Sequence, residues 1–422
     1  MKAIALLFLS LLIAPLQAAE LEVVQPEVAG FSSARLAKIS EFVDREIEEG
    51  RLVGVVTMVA RGGQIVHFES AGQYGLDDDR PIDKDALFRI YSMTKPVTTV
   101  AAMMLYEEGF FQLGDPVSKY LPEFENQTIL RDGERVAPQS PMTIEQLMTH
   151  SAGLTYGWAN DHAAEVAYQE AKLDEAKNLD EYVARLAELP LRFEPGSRYH
   201  YSVATDVLGA LVERLSGMTL EAFFHERIFE PLGMNDTFFN VPEDQLDRLA
   251  SNHYWDAENA RMAVVPAEYG SPVTGVTRFS GGAGLISTAH DYMIFAEMLR
   301  RGGTYNDARI LGPKTIQYMT INHLTDEVRN NGAGEYPASH LYPGQSFGLG
   351  FGVITDPGQS QVISSQGEYS WGGAANTKFW IDPEEDLVAI LMTQFLGSPW
   401  SDHTRYSMKI ATYQALTTLN GD

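Results

Sequence analysis

The chain contains no cysteine in its 422 residues. This absence excludes disulfide bonds, zinc sites built from thiolates and cysteine nucleophiles. Hydrophobic residues make up 45% of the sequence and aromatic residues 10%, which is typical of a globular protein rather than a disordered or collagen-like one. The length exceeds one typical domain of roughly 100–200 residues, so we expect two domains or one large core with a substantial insertion.

Positive charge is also scarce. Lys and Arg number 31 against 57 Asp and Glu, and the net charge is −26. A surface this acidic repels nucleic acid and anionic lipid, so we expect neither nucleic acid nor a polyanionic substrate as a partner. The charge does not specify a reaction.

Long hydrophobic runs are missing except at the N-terminus. Lys2 precedes an apolar stretch at 3–14, Pro15 ends it, and Ala18 offers a small residue for cleavage. The stretch is shorter than the about 20 apolar residues that span a bilayer, so it predicts a signal peptide at 1–18. The alternatives are an uncleaved anchor and a buried helix. We expect a periplasmic or secreted protein with no stable membrane insertion after signal removal.

Strand patterns lie at both ends of the chain, and helical patterns lie between them. Predicted helices at 32–49 and 401–418 flank two strand pairs, 53–60 with 64–68 and 377–381 with 387–394. Apolar periodicity predicts further helices at 94–108, 143–150, 180–189, 203–215 and 219–228. We therefore predict a mainly antiparallel sheet flanked by the terminal helices, with an inserted helical block. The expected division of the domain 19–422 is a sheet subdomain at about 19–92 and 280–422 and a helical subdomain at about 93–279.

Ser92 and Lys95 form the sharpest local pattern. They lie three residues apart at the start of an apolar helical run, so they share one helix face, with the serine near the positive end of the helix dipole. A buried lysine can lose its proton near neutral pH and accept the proton of a serine hydroxyl. Ser-x-x-Lys is a known nucleophile motif of acyl-transferring enzymes. Taken alone, the pattern is more often a capped helix with an exposed lysine.

Two further segments add chemistry. Tyr201 precedes the helical run that starts at Val203, and a tyrosine near an ammonium group can act as a general acid or base. Gly372 and Gly373 precede a predicted strand pair, where paired glycines permit a close approach of backbone to ligand and backbone N–H groups can form an oxyanion hole. Taken singly, a packed core aromatic and a glycine-rich bend explain these segments.

The three segments, in this order, resemble the family of class C β-lactamases, DD-peptidases and family VIII carboxylesterases. The resemblance covers nearly the whole chain after residue 18 and includes stretches at 113–117, 120–122, 147–154, 231–234, 281–288 and 347–352. It implies an α/β sandwich of the α+β type, with a mainly antiparallel sheet plus an all-helical domain. The active site would lie in the cleft between them, with no metal and no organic cofactor.

The resemblance also implies residue roles. Ser92 would be the acylated nucleophile, and Lys95 its base or electrostatic partner. Tyr201 would relay protons to the leaving group and from the deacylating water. The backbone N–H groups of Ser92 and Ala374 would bind the oxyanion, and residues 371–374 would come from the edge strand of the sheet.

Two departures from the β-lactamase pattern bear on the substrate. Val203 stands where those enzymes carry the asparagine of Tyr-x-Asn, and valine cannot hydrogen-bond a substrate amide. Trp371-Gly372-Gly373 stands where they carry Lys-Thr-Gly, whose cation binds the carboxylate of a β-lactam or a D-Ala terminus. We therefore expect cleavage of short-chain carboxylic esters. The alternatives are β-lactamase or D-alanyl-D-alanine peptidase activity, and a non-catalytic module that binds peptidoglycan or a partner protein. The oligomeric state stays open.

Other features receive structural interpretations. The Gly-x-Ser-x-Gly match at 344–348 lacks the strand–turn–helix context of a nucleophile elbow. The histidines at 150, 290 and 323 show no metal-ligand spacing, and for the first we expect a loop or helix-end hydrogen bond. The acidic residues 77–79 indicate a solvated loop. Tyr156 and Trp158 fit a wall of the acyl pocket and ordinary packing equally well.

Overall fold

The structure is a computed structural model, and it describes residues 21–131, 133–266, 270–331 and 341–420. The predicted signal peptide at 1–18 lies outside the described residues. The strands are β1 (Gly54–Arg61), β2 (Gln64–Gly75), β3 (Asp78–Pro81), β4 (Phe88–Arg89), β5 (Ile129–Arg131), β6 (Glu134–Val136), β7 (His253–Asp256), β8 (Arg261–Val264), β9 (Ile286–Ser287), β10 (Thr304–Tyr305), β11 (Ala308–Arg309), β12 (Gln345–Phe347), β13 (Gly352–Ile354), β14 (Tyr369–Gly372), β15 (Lys378–Asp382), β16 (Leu387–Met392) and β17 (Phe395–Leu396). The α-helices are α1 (Ser33–Leu36), α2 (Lys38–Glu48), α3 (Thr94–Glu107), α4 (Ile144–Met148), α5 (Ala163–Glu170), α6 (Leu179–Ala187), α7 (Ala204–Ser216), α8 (Leu220–Phe224), α9 (Glu230–Leu232), α10 (Ala289–Arg300), α11 (Pro313–Met319), α12 (Asp326–Asn330) and α13 (Ser401–Tyr413).

The central sheet joins the two ends of the chain. Its eight strands follow the order β12-β13-β14-β15-β16-β1-β2-β3, and their pairs are antiparallel. Val56 of β1 lies opposite Met392 of β16, so an N-terminal hairpin pairs with a C-terminal one. Gly62 and Gly63 turn from β1 to β2 with φ angles of 59° and 80°, which glycine adopts without steric strain. The predicted hairpin and the mainly antiparallel sheet are confirmed.

Helices cover both faces of this sheet. On one face, α2 and α13 pack around Trp380 and Leu391, as we predicted for the terminal helices. On the other face, α10 packs against β1, β15 and β16. We did not predict α10, because it is buried on nearly all sides and its sequence lacks the amphipathic period of a surface helix.

The helical block packs around α3 and α7. α3 is buried along nearly its whole length and contacts α7, which also contacts α4, α6 and α8. The five helices predicted in this region are present with small shifts at their ends, and α8 continues through a π-helical turn into α9. β7 and β8 join the C-terminal β17 in a separate small sheet, and the predicted subdomain boundaries stay a prediction. Among the described residues, no helix combines the length and the hydrophobicity needed to cross a membrane.

β14 leads toward the site, but it is not an edge strand. Its first half pairs with β13, with Val353 opposite Tyr369 and Gly352 opposite Ser370, and β12 pairs with β13 on the outer side. The prediction of an edge strand at 371–374 is therefore wrong. The two outer strands are three residues long and are joined by a segment with two glycines, so their sequence carries too little periodicity to be recognised as a pair. Since the ladder between β13 and β14 ends at Ser370, residues 371–374 extend beyond it.

A buried ion pair ties α13 to the sheet. Nζ of Lys409 lies 2.6 Å from a carboxylate oxygen of Glu368, the residue before β14. The hydroxyl of Tyr413 donates to a carboxylate oxygen of Asp382 in β15 at 2.5 Å and lies 3.0 Å from the other carboxylate oxygen of Glu368. The helix that covers this face is therefore held by polar contacts as well as by packing.

We expect Lys409→Met to lower the free energy of unfolding by about 3–5 kcal/mol, because it leaves a buried carboxylate without its cation. Lys38→Met is the matched control, since Lys38 and Glu41 form an ion pair with both side chains more than half exposed. Its stability should stay close to that of the wild type. Urea unfolding at pH 7 measures both variants. An equal loss in the two would contradict a stabilising role for the buried pair.

Candidate active site

Ser92 lies in the single 3-10 turn that leads directly into α3. The preceding residue, Tyr91, has a φ of 44°, a left-handed conformation that few residues other than glycine adopt. The amide of Asn252 donates to the Tyr91 hydroxyl at 2.8 Å, and the hydroxyl of Tyr292 donates to the carbonyl of Met93 at 2.9 Å. These contacts hold a strained turn that presents the serine at the helix N-terminus.

Lys95 is buried one helical turn after Ser92. It is only 1% exposed. Its Nζ donates to Oγ of Ser92 at 3.3 Å and to the carbonyl oxygen of Gly282 at 2.6 Å. This burial excludes a capped helix with an exposed lysine, and the ammonium group bridges the serine to a loop from a distant part of the chain.

The loop at Gly281 and Gly282 is shaped to hold the lysine. Oγ1 of Thr98 on α3 donates to the carbonyl of Gly281 at 2.7 Å, and a carboxylate oxygen of Asp206 on α7 accepts the N–H of Gly282 at 3.3 Å. A Cβ on Gly282 would lie 2.5 Å from that carboxylate, so glycine permits the close approach. We did not predict that this loop holds the lysine. The paired glycines are the feature of the sequence that could have indicated it.

Tyr201 lies in the irregular segment just before α7, with its ring facing the lysine. Nζ of Lys95 is 4.7 Å from the ring centroid, and Nε1 of Trp371 donates to the Tyr201 hydroxyl at 3.3 Å. The ring also packs against His150, with centroids 4.6 Å apart. The structure thus brings Ser92, Lys95 and Tyr201 into one cluster.

His150 forms the buried side of Tyr201. It follows α4 with a φ of 52°, and its carbonyl accepts the N–H of His200 at 2.8 Å. Burial holds the pKa of His150 well below its usual range, and the positive charge of Lys95 acts in the same direction. The ring is therefore neutral at pH 7. Nδ1 of His150 accepts the N–H of Ser202 at 3.3 Å, so the expected loop hydrogen bond of this histidine is present, whereas the packing against the tyrosine was missed.

Glu165 of α5 ties together two segments that carry aromatic residues of the site. It accepts hydrogen bonds from Thr155 and from Arg192, and Nε2 of His200 lies 3.4 Å from the same oxygen. Thr155 and His200 each immediately precede a tyrosine that lines the cleft. Burial raises the pKa of this carboxylate, but these contacts outweigh burial and lower it to about 2.

The glycine turn after β14 lies against the turn that carries Ser92. A Cβ on Gly373 would lie 2.4 Å from the carbonyl oxygen of Ile90, so glycine permits this approach. The N–H of Gly373 donates to the carbonyl of Thr377 at 2.9 Å and closes the turn, with Ala374 exposed at its tip. The arrangement is compatible with oxyanion binding by the N–H groups of Ser92 and Ala374.

Aromatic side chains wall the cleft beside this cluster. Tyr156 and Trp158 stack with ring centroids 4.2 Å apart, and both contact Tyr201, at 5.6 and 6.1 Å. Trp158 is 52% exposed. The ring of Trp371 contacts Tyr201 and Phe347 at 5.4 and 5.1 Å. The Tyr156–Trp158 pair thus lies beside Tyr201, and its role as a wall of the acyl pocket stays a prediction.

The Gly-x-Ser-x-Gly match and the histidines at 290 and 323 are not among the contacts of this cluster. Ser346 of the Gly-x-Ser-x-Gly match is buried in β12 and donates to Asn322 at 2.5 Å, and β13 rather than a helix follows it. His323 contacts Glu145 at 3.0 Å, and His290 is partly exposed near Asp291. Across the described parts of the chain, no group of three or more His, Asp or Glu side chains is arranged to hold a metal ion.

Comparison with known proteins places this arrangement in a family. The family model described as Beta-lactamase matches residues 37–411. The chain belongs to the β-lactamase family. Protein Rv1367c of Mycobacterium tuberculosis is 36% identical over 360 residues, which cover 83% of this chain and 88% of the relative.

Relatives in this β-lactamase family include esterases. Esterase EstB of Burkholderia gladioli is 32% identical over 412 residues, which cover 92% of this chain and 98% of EstB. The solved structure of EstCE1, described as a hydrolase with promiscuous acyltransferase activity, matches with a TM-score of 0.76 at 28% identity. The match covers 90% of this chain and 99% of EstCE1. The predicted family and fold are confirmed, and the chain has the fold of a serine hydrolase.

We expect Glu165→Gln to destabilise the protein at pH 7, because the ionised carboxylate holds Thr155, Arg192 and His200 together. The lowered folded-state pKa stabilises the native state only while the group is ionised, so the difference from wild type should persist above about pH 4.5 and shrink toward pH 2. Thermal unfolding across this range measures the difference. Glu181→Gln, which removes a partly exposed helical pair with Arg185, is the control and should change stability little at any pH. A difference for Glu165→Gln that grows on acidification would contradict the argument.

Proposed function

We propose that the chain is a serine carboxylesterase that cleaves short-chain carboxylic esters through an acyl-enzyme on Ser92. The observation that carries the proposal is that one buried ammonium group, that of Lys95, contacts both the Ser92 hydroxyl and the Tyr201 ring. A serine hydroxyl becomes a nucleophile when a neighbouring base takes its proton. The esterase name of the relative EstB supports ester chemistry on this scaffold.

In the proposed reaction, the Lys95–Tyr201 pair carries one proton fewer than a lysine ammonium and a tyrosine phenol together. It takes the proton of Ser92 as Oγ bonds to the ester carbonyl carbon. The carbonyl oxygen takes up negative charge, which the N–H groups of Ser92 and Ala374 stabilise. When the carbonyl reforms, the bond to the alcohol oxygen breaks and that oxygen receives a proton from Tyr201. Water then attacks the acyl-enzyme with the pair as base and releases the acid. Because interacting groups titrate together, we assign the base role to the pair.

The cleft is suited to a neutral substrate at the position of Trp371. The β-lactamase lysine of Lys-Thr-Gly is replaced here by an indole whose N–H already donates to Tyr201. Two cations lie near the turn, but Lys378 donates to Ser370, whose side chain points away from the cleft because neighbours on a strand alternate. Arg405 approaches from α13 on that same far face. A substrate carboxylate would therefore lack the cation that binds β-lactams.

Val203 supports the same substrate class. It is buried at the N-terminal end of α7, where its side chain offers no hydrogen-bonding group. An ester has no N–H to be recognised at this position, whereas the amide of a β-lactam side chain or of a peptide would lose a partner.

We also propose that the protein acts in the periplasm or as a secreted enzyme. The support is the positively charged and apolar pattern at residues 1–18. Expression of the full chain in a Gram-negative host, followed by N-terminal sequencing of the periplasmic protein, tests this location. A mature N-terminus at Ala19 is the expected result, and an uncleaved chain in the membrane fraction would contradict it.

We expect Ser92→Ala to lower the hydrolysis of p-nitrophenyl butyrate by at least about 1,000-fold, because the acyl-enzyme cannot form. Lys95→Met and Tyr201→Phe should each cause a large loss in kcat with a smaller change in KM. Ser346→Ala is the matched control, since this serine belongs to the unrelated Gly-x-Ser-x-Gly match and its loss should leave most of the activity. Labelling with a fluorophosphonate, followed by intact mass and peptide mapping, should modify Ser92 once.

Nitrocefin separates the alternatives in the same assay. Efficient nitrocefin turnover with negligible ester cleavage would replace the esterase proposal by a β-lactamase. Binding of peptidoglycan by a wild-type protein that hydrolyses neither substrate would favour the non-catalytic module. Full activity of Ser92→Ala would show that the nucleophile is wrongly assigned.

A further inference from the structure

Arg405 reaches the glycine turn from the side opposite to the cleft. It lies on α13, and its Nη2 donates to the carbonyl oxygen of Gly373 at 2.8 Å and to that of Thr377 at 3.1 Å. A Cβ on Gly372 would lie 3.0 Å from the same nitrogen, so the glycine leaves room for the guanidinium group against the backbone. One side chain thus holds both ends of the turn.

The carbonyl of Gly373 belongs to the same peptide unit as the N–H of Ala374, which the proposed function assigns to the oxyanion. A peptide unit is planar, so a hydrogen bond that fixes its carbonyl also fixes the direction of its N–H. A cation on the oxygen also draws electron density through the conjugated unit and makes the N–H a stronger donor. Arg405 therefore acts on the donor without touching the substrate.

The charge of Arg405 is directed at this turn rather than at an acidic partner. In the described part of the molecule, Arg405 forms no ion pair with a carboxylate, and its Nη2 donates to the two carbonyl oxygens. Burial lowers the pKa of Arg405, and the nearby Tyr342 and Asp402 act in the opposite direction. The guanidinium is partly buried, and its Nη2 donates to the backbone of the turn rather than to a carboxylate.

We propose that Arg405 is a positioning residue for ester cleavage, which orients and polarises the Gly373–Ala374 peptide so that its N–H stabilises the transition state. The inference rests on the proposed function of Ser92. An N–H that points at the oxyanion position stabilises the transition state more than the bound ester. The loss of the Arg405 side chain should therefore lower kcat and leave KM nearly unchanged.

The test compares Arg405→Gln with the wild type in kcat, KM and the inhibition constant of phenylboronic acid, whose tetrahedral adduct on serine places an oxygen at the oxyanion position. We expect kcat to fall about 10- to 100-fold, somewhat less than the loss of an oxyanion donor itself. KM should change by less than about twofold, and boronate affinity should fall in parallel with kcat. Arg405→Lys keeps the charge and a donor, so its kcat and its boronate affinity should lie between those of Arg405→Gln and those of the wild type. Arg135→Gln is the matched control, because Arg135 also donates to a backbone carbonyl, that of Glu188, but on the exposed surface.

Active-site titration with a fluorophosphonate separates positioning from folding. A merely structural role would lower the melting temperature and the number of titratable sites, with kcat per site and boronate affinity unchanged, and that result would overturn the inference. If Arg405→Gln does not fold, Arg405→Lys carries the same comparison, and wild-type kcat per site in that variant would overturn it. Wild-type protein without esterase activity, or an active Ser92→Ala variant, contradicts the proposed function itself. Unchanged kcat in Arg405→Gln of a Ser92-dependent enzyme contradicts this inference alone.

Discussion

The burial of one lysine ammonium group sets the geometry of the site. Nζ of Lys95 has almost no access to water, and a buried charge is stable only where the surroundings supply partners. The carbonyl of Gly282, the hydroxyl of Ser92 and the faces of Tyr201 and Tyr156 supply them. These groups come from separate parts of the chain, so the requirement to satisfy one cation draws α3, the glycine loop and the segment before α7 together.

In the described part of the site, the side chains around Tyr201 are mainly aromatic. His150 is kept neutral by its burial beside Lys95, and Trp371 fills the position at which the β-lactamases of this fold place a cation. The lysine is therefore the cation that the described contacts direct at the serine, and its field acts on the reacting hydroxyl rather than on a substrate carboxylate. Under the proposed function, the sheet and helices that form the Ser-x-x-Lys turn are those of the family, while a few side chains such as Trp371 and Val203 determine which substrates can bind.

The parts of the structure that the sequence predicted are those governed by local rules. The hairpin at Gly62 and Gly63, the three-residue spacing from Ser92 to Lys95 and the start of α7 after Val203 follow from turn and helix geometry. The contacts of Gly282, His150 and Arg405 were missed, because each depends on packing between segments far apart in the chain. α10 and the β12–β13 pair were missed for a different reason, since one is buried on nearly all sides and the other is too short to show a period. The catalytic roles of the assembled residues and the subdomain boundaries stay predictions.

Because β1 pairs with β16, the central sheet is completed only late in the synthesis of the chain. The nucleophile turn follows the N-terminal hairpin, whereas the turn at 373–374 and the helix that supports it are among the last parts of the chain to be made. A chain that emerges residue by residue, from a ribosome or through a translocation pore, carries Ser92 long before it carries the strands that complete the sheet. Long-range pairing of this kind forms late in folding. Under the proposed function, the site is therefore complete only after the last strands and α13 have been made, and the unfinished polypeptide is inactive toward esters in the compartment in which it is made.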